Sequence, residues 1–250
     1  MKVRFRLGLG LKLVLLSALA AALIVAAARL SSPPGAGLKA GAADLLRRMV
    51  AAASPRLEGI GENEVYILID VNQRTLTVYR GDEFVKRYPI AVGKPETPTP
   101  VGEWTIIQKS LGWGGGFGTR WLGLNVPWGI YGIHGTNKPW SISTMASHGC
   151  IRMFNRHVEE LYPMVKVGTR VRIVGPLPSF EPRQAYRPNM TGKDVVLFQM
   201  LIREAGFSPG FADGRYGKAT AGAVRELETY YGLRPDGVAD RDVQIIVGFR

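Results

Sequence analysis

Val65-Tyr66-Ile67-Leu68-Ile69-Asp70, a polar turn at Asn72-Gln73, and Thr75-Leu76-Thr77-Val78-Tyr79 together form the stretch that sets the fold class. β-branched and aromatic residues on both sides of a short polar turn predict a hairpin, although Asn-Gln is a weaker turn than Asn-Gly. Gly81-Asp82 predicts a second turn, followed by an extended segment from Phe84 to Val92. Further strands are expected from Gly102 to Gln108 and, closing the region, from Thr169 to Val174. Helical character is confined to a short piece around Val158 to Tyr162. Strands do not alternate with helices, which argues against a doubly wound sheet. Residues 63–174 therefore read as a mainly β domain with short helices.

Beyond this region, Gly175-Pro176-Leu177-Pro178, Pro182 and Pro188 predict a proline-stiffened linker over 175–188. The apolar period then becomes helical. Val195, Val196, Gln199, Met200 and Ile202 share one helix face, and Thr220 to Tyr231 reads as a second helix ended by Gly232. Asp240 is placed to cap a third helix through Ile245 and Ile246. Residues 189–250 are expected to form a small all-α domain.

On the N-terminal side, residues 31–62 read as a spacer, with Pro33-Pro34-Gly35 and a short helical candidate from Ala43 to Val50. Residues 1–30 have the pattern of a signal peptide or membrane anchor. Lys2, Arg4 and Arg6 precede an apolar run from Leu13 to Ala28 broken only by Ser17, and Ala26-Ala27-Ala28 offers small residues for cleavage. The basic end should stay inside and the rest of the chain outside the membrane. The formal charge of +12 favours polyanionic surroundings, such as anionic lipid or the acidic polymers of a bacterial wall. No basic run with interleaved aromatics marks the body of the chain, so nucleic acid is not expected as a partner.

Candidate chemistry centres on Cys150, the one cysteine of the chain, which also rules out an intramolecular disulfide. A lone cysteine is most often a small buried apolar residue. Here Gly149 lets the backbone turn sharply beside it, and His148 and Arg152 bring positive charge that favours a thiolate. Sixteen residues earlier, His134 in Ile133-His134-Gly135-Thr136 is a candidate general base and acid. The N–H groups around Gly149 and Cys150 are candidate donors to an acyl-transfer oxyanion. His134, His148 and Cys150 lack the acidic partner and spacing of a known zinc site. Gly112 to Gly118 lacks the Gly-Lys-Ser/Thr ending of a phosphate loop. This segment, with Trp113 and Phe117, reads as either a flap or a surface loop, and His157 reads as a surface residue.

His134-Gly135-Thr136 followed by Ser147-His148-Gly149-Cys150-Ile151-Arg152-Met153 closely resembles the signature of the L,D-transpeptidase (YkuD-type) catalytic domain. Thr97-Pro98-Thr99-Pro100-Val101-Gly102-Glu103-Trp104 matches a segment upstream in that family. The resemblance implies an L,D-transpeptidase-like β-sandwich. It also implies that Cys150 is the nucleophile forming a thioester with a peptidoglycan stem peptide, and that His134 is the general base. The Gly135 carbonyl would orient the imidazole, while Ser147, His148, Gly149 and Arg152 line or brace the site. Family members carry mainly His or Lys at position 148, so a structural role suits His148 as well as a catalytic one. Asp213-Gly214-Arg215-Tyr216-Gly217-Lys218-Ala219-Thr220, with Gly232-Leu233 and Asp236-Gly237-Val238, resembles a three-helix peptidoglycan-binding domain. Leu227-Glu228 departs from the aromatic-Gln pair usual there.

The resemblance implies an extracytoplasmic bacterial enzyme, anchored or secreted, that needs no cofactor or metal. Its partners would be stem peptides and the wall polymer, with the membrane reached through the N-terminal segment and carbapenems as acylating inhibitors. It would join stems through 3→3 cross-links. The alternatives are an L,D-carboxypeptidase that uses water as acceptor, a non-catalytic wall-binding protein, and a zinc-dependent wall peptidase.

Overall fold

The computed structural model describes residues 60–112, 114–177 and 181–249. The expected export segment, nearly all of the spacer and Trp113 lie outside the described residues. Among those described, no helix is long and apolar enough to cross a membrane.

The predicted hairpin is present as β1 (Val65–Asp70) and β2 (Thr75–Arg80), followed by β3 (Glu83–Pro89) and the short β4 (Val92–Gly93). Next come β5 (Gly102–Leu111), β6 (Arg120–Leu124), β7 (Tyr131–His134), β8 (Met145–Ser147) and β9 (Ile151–Arg152). Helix α1 (Asn155–Met164) and strand β10 (Arg170–Val174) complete the β region. Eight strands form one sheet in the order β3-β2-β1-β10-β5-β6-β7-β9, and β4 pairs with β8 separately.

The sandwich is made by this one sheet curling over itself. Strand β5 belongs to both halves. Its first residues pair with β10, its later ones with β6, and the register shifts between Ile106 and Gln108. An irregularity of this kind sharpens local twist and bends a strand. Ile67, Ile69, Leu76 and Val78 from one half and Leu122, Leu124, Ile133 and Ile151 from the other meet in a single core cluster. Val158 and Leu161 of α1 are buried in the same cluster.

The strand expected from Thr169 to Val174 is present as β10 and lies mid-sheet, parallel to β1 and antiparallel to β5. Strands β6 and β7 gave no sequence signal, since Gly123 and Gly132 interrupt their apolar pattern. Both glycines make room for one indole. A Cβ on Gly132 would lie 2.7 Å from the Trp121 ring, and one on Gly123 3.0 Å from its Nε1. Finally, the linker's last part is not a spacer, because Tyr186 is fully buried in the core of the helical region.

That region contains α2 (Lys193–Glu204), α3 (Lys218–Tyr230) and α4 (Arg241–Ile246) around Tyr186, Phe198, Tyr216 and Leu227. Asp240 caps α4 as its sequence predicts, accepting from the N–H groups of Asp242 and Val243 at 3.0 and 3.2 Å. Glu228, the departure from the family pattern, is buried and accepts from Gly237 N–H at 2.9 Å, so it braces a turn.

The helices dock onto the β domain through a buried carboxylate on β5. Glu103 takes a bidentate pair from Arg203 of α2, both bonds 2.9 Å. It also accepts from Ala212 N–H at 2.9 Å and donates its own N–H to the Ala212 carbonyl at 2.9 Å. Arg215 reaches the Asn125 carbonyl at 2.7 Å, and Val196 of α2 sits in the β-domain core. Both regions belong to one compact unit.

Candidate active site

Parallel pairing of β7 with β9 brings the two motifs together. Ile133 is opposite Ile151 and His134 opposite Arg152, so the same register sets Gly132 beside Cys150. Cys150 immediately precedes β9, so the turn that carries it enters the sheet beside the strand that carries His134. The resting thiol donates to the Ile130 carbonyl, with 4.0 Å between sulfur and oxygen.

His134 is 3% exposed. Its Nδ1 is 2.5 Å from the Gly135 carbonyl oxygen, which can only accept. Nδ1 therefore carries the proton and Nε2 has the free lone pair. The ring lies between Trp121, stacked at 5.7 Å, and Phe117, edge-on at 5.0 Å. Burial among these rings pushes the His134 pKa down to about 4; the Gly135 and Phe117 carbonyls pull upward, and Arg152 adds to the lowering. The imidazole is consequently neutral around pH 7.

Burial also raises the Cys150 pKa, against the opposing pull of a Gly132 backbone hydrogen bond and the Arg152 charge. This corrects the expectation that positive neighbours make a resting thiolate. Desolvation outweighs Arg152, and His148 is exposed rather than packed on the sulfur. The resting pair is thiol and neutral imidazole.

The loop before Cys150 is fixed by Ser147, whose side chain is 1% exposed. Its hydroxyl donates to the Cys150 carbonyl at 2.6 Å and accepts from Gly149 N–H at 3.0 Å. Ser147 therefore braces the turn. The Gly149 N–H, expected as an oxyanion donor, is already occupied by the Ser147 hydroxyl. Gly149 has φ +109°, and a Cβ there would lie 2.6 Å from the Tyr131 ring, so glycine is required.

The glycine-rich segment reaches the site. A 3-10 turn at Gly115–Phe117 carries the Phe117 ring onto His134. Gly118 returns the chain so tightly that a Cβ would lie 2.2 Å from Asn155 Oδ1. A Cβ on Gly135 would meet the same oxygen at 2.2 Å, so Asn155 packs where the flap base and the His134 loop meet. Asn155, Trp121 and Tyr131 are the site residues that sequence reasoning missed. A polar residue opening a helix is the one signal that pointed to Asn155. His157 is half-buried against Tyr88 and Phe154, each ring 5.2 Å away, and is not simply a surface residue. Among the described residues, no three His, Cys, Asp or Glu side chains gather as a metal site would require.

Residues 64–173 match the family described as YkuD, L,D-transpeptidase catalytic domain, and residues 191–244 match a peptidoglycan binding domain. A Bacillus licheniformis protein bearing the name L,D-transpeptidase YkuD is 52% identical over 43% of this chain and 64% of its own length. The chain thus spans less than two thirds of that relative. A Bacillus subtilis protein named L,D-transpeptidase YqjB is 34% identical over 49% of this chain and 80% of its own. The NMR structure of the catalytic domain from E. faecium L,D-transpeptidase resembles 45% of this chain and 98% of that one, at 26% identity and a TM-score of 0.40. By the match of its β region and these relatives, the chain belongs to the YkuD-type L,D-transpeptidase family.

Proposed function

We propose that the protein is an extracytoplasmic L,D-transpeptidase of the bacterial cell wall, with Cys150 as nucleophile and His134 as base and acid. One observation carries the assignment of roles: the Gly135 carbonyl holds the His134 Nδ1 proton, which leaves Nε2 as the ring's basic nitrogen, on a strand whose neighbour leads directly from Cys150. His134 takes the thiol proton as sulfur attacks the carbonyl of the third stem residue. Gly132 N–H and Arg152 favour the sulfur anion as it forms. Collapse of the tetrahedral adduct expels the terminal D-residue, whose amine receives the proton from His134, leaving a thioester on Cys150. A side-chain amine of a neighbouring stem then attacks the thioester, His134 accepts its proton, and the thiol is restored with a 3→3 cross-link formed.

The match of residues 191–244 supports a wall-binding role for the helices. The basic, apolar first 30 residues support export, with residues 31–62 as a spacer. A reactive Cys150 in this role would be acylated by carbapenems, one drug per chain, through the same attack on a carbonyl. Incubating the protein with purified stem tetrapeptide and following products by mass spectrometry tests the transferase assignment. Cross-linked dimers with loss of one D-residue are expected. Release of free tripeptide alone at high acceptor concentration makes the protein an L,D-carboxypeptidase instead.

A further inference from the structure

A cleft of about 190 Å³ lies where the β domain meets the segments that follow it. Tyr131 and His148 line it from the side of the Cys150 turn, and Leu177 of the linker and Lys193, the exposed first residue of α2, from the side of the helical region. The Tyr131 ring packs on Gly149, the residue before Cys150. On one side runs the chain from Glu96 to Val101, and on the other stands Trp128.

The helical module shapes this cleft as well as bordering it. The Trp128 indole meets Trp104 edge-on at 5.5 Å. From behind it is met by the turn at Gly214, where a Cβ would lie 2.6 Å from its ring. That turn is fixed by Gln199 of α2, whose side-chain oxygen accepts from Gly214 N–H at 2.9 Å. The buried Glu103–Arg203 pair locks the same helix to β5.

The lining suits a peptide. Trp128, Tyr131 and the prolines at 98 and 100 offer apolar faces, and Lys193 supplies an exposed ammonium at the mouth. Among the described residues Lys193 has no ion-pair partner, whereas the adjacent Asp194 is paired with Arg183 at 2.7 Å. Glu96 is the one carboxylate of the lining, and it is exposed. A substrate with free carboxylates, guided by a chain of net charge +12, meets its nearest cleft cation at Lys193.

We propose that this cleft is a substrate subsite built jointly by the two modules, in which Lys193 binds a carboxylate of the stem peptide while Trp128 and Tyr131 flank the peptide. The proposal rests on the transpeptidase reading for the identity of its ligand. It gives the helical module a part in substrate selection at the reaction site, apart from any hold on the wall.

The test uses the full chain carrying Cys150→Ala, so that binding is measured without chemistry, and calorimetric titration with a synthetic stem tetrapeptide and its carboxamide counterpart. Saturable binding of the acid is expected. K193E should weaken it about fivefold, the upper end for an exposed ion pair. K193R should leave it within about twofold. The carboxamide should bind weakly and be indifferent to K193E. Absence of saturable binding, equal affinity in K193E, or the same loss for the carboxamide overturns the proposal. Acylation of wild-type Cys150 is followed separately by intact mass. Acylation without any effect of Lys193 on binding removes the subsite alone. Lys193-dependent binding without acylation keeps the subsite and removes the transpeptidase reading.

Discussion

Burial keeps the His134 imidazole neutral and the Cys150 thiol protonated. With the His134 pKa down at about 4, its lone pair is available through the neutral range and is lost only as pH falls through that value. The Cys150 pKa lies above its ordinary 9.0, so spontaneous ionisation belongs to alkaline pH. Alkylation by iodoacetamide should therefore keep accelerating as pH rises past 9, with no plateau near neutrality. A rate that levels off near pH 7 would show a thiolate–imidazolium pair and contradict this account. The motif spacing made both residues legible in the sequence. The direction of the thiol's shift was not, because it depends on how deeply the surrounding chain buries the sulfur, which neighbouring residue types do not reveal.

In the proposed mechanism the glycine-rich segment is the element that would govern the choice of acceptor. Water is abundant, so an amine resolves a thioester only if the site orients it and keeps water away, where effective molarities can reach about 10⁵–10⁸ M. Phe117 lies edge-on to both His134 and Trp121, at 5.0 and 5.5 Å, and places an apolar lid over the base. Phe117→Ala should raise the ratio of free tripeptide to cross-linked dimer several-fold while the thiol still reacts. An unchanged ratio would demote the segment to a surface loop. Legibility differed sharply between elements. The hairpin at Val65–Arg80 and the helices from Lys193 onward announced themselves through side-chain period. Strands β6 and β7 did not, because their glycines serve the Trp121 indole and erase the alternation that marks a strand. The parallel join of β7 to β9, which makes the site, is a long-range pairing with no local signature at all.

In the molecule as a whole, the helices and the curled sheet depend on each other through Glu103. Burial alone would raise its carboxyl pKa, but the hydrogen bonds and charge of Arg203, with Ala212 N–H, bring it below its ordinary 4.5. A lowered carboxylate pKa contributes stability that is present above the ordinary value and fades as pH falls through the folded one. Acid unfolding should therefore begin earlier in any variant that keeps Glu103 but loses Arg203. Removing one partner of a buried pair costs about 3–5 kcal/mol. Arg203→Ala, which strands the buried carboxylate, should lower the urea midpoint correspondingly, and deleting 189–250 should destabilise the β domain as well as remove wall affinity. A truncated β domain with an unchanged urea midpoint would show the docking to be incidental. The sequence identified both modules but presented them as beads on a stiff linker. Glu103 belongs to the upstream family segment, and nothing local there indicates a partner 100 residues away.

Intact-mass measurement of the protein mixed with stem tetrapeptide decides whether Cys150 forms the proposed thioester. A transient adduct equal to the tetrapeptide less its terminal D-residue and one water is expected, mapped to Cys150 and absent in Cys150→Ala. Release of that D-residue by the Cys150→Ala variant, with no adduct on the wild type, would contradict it.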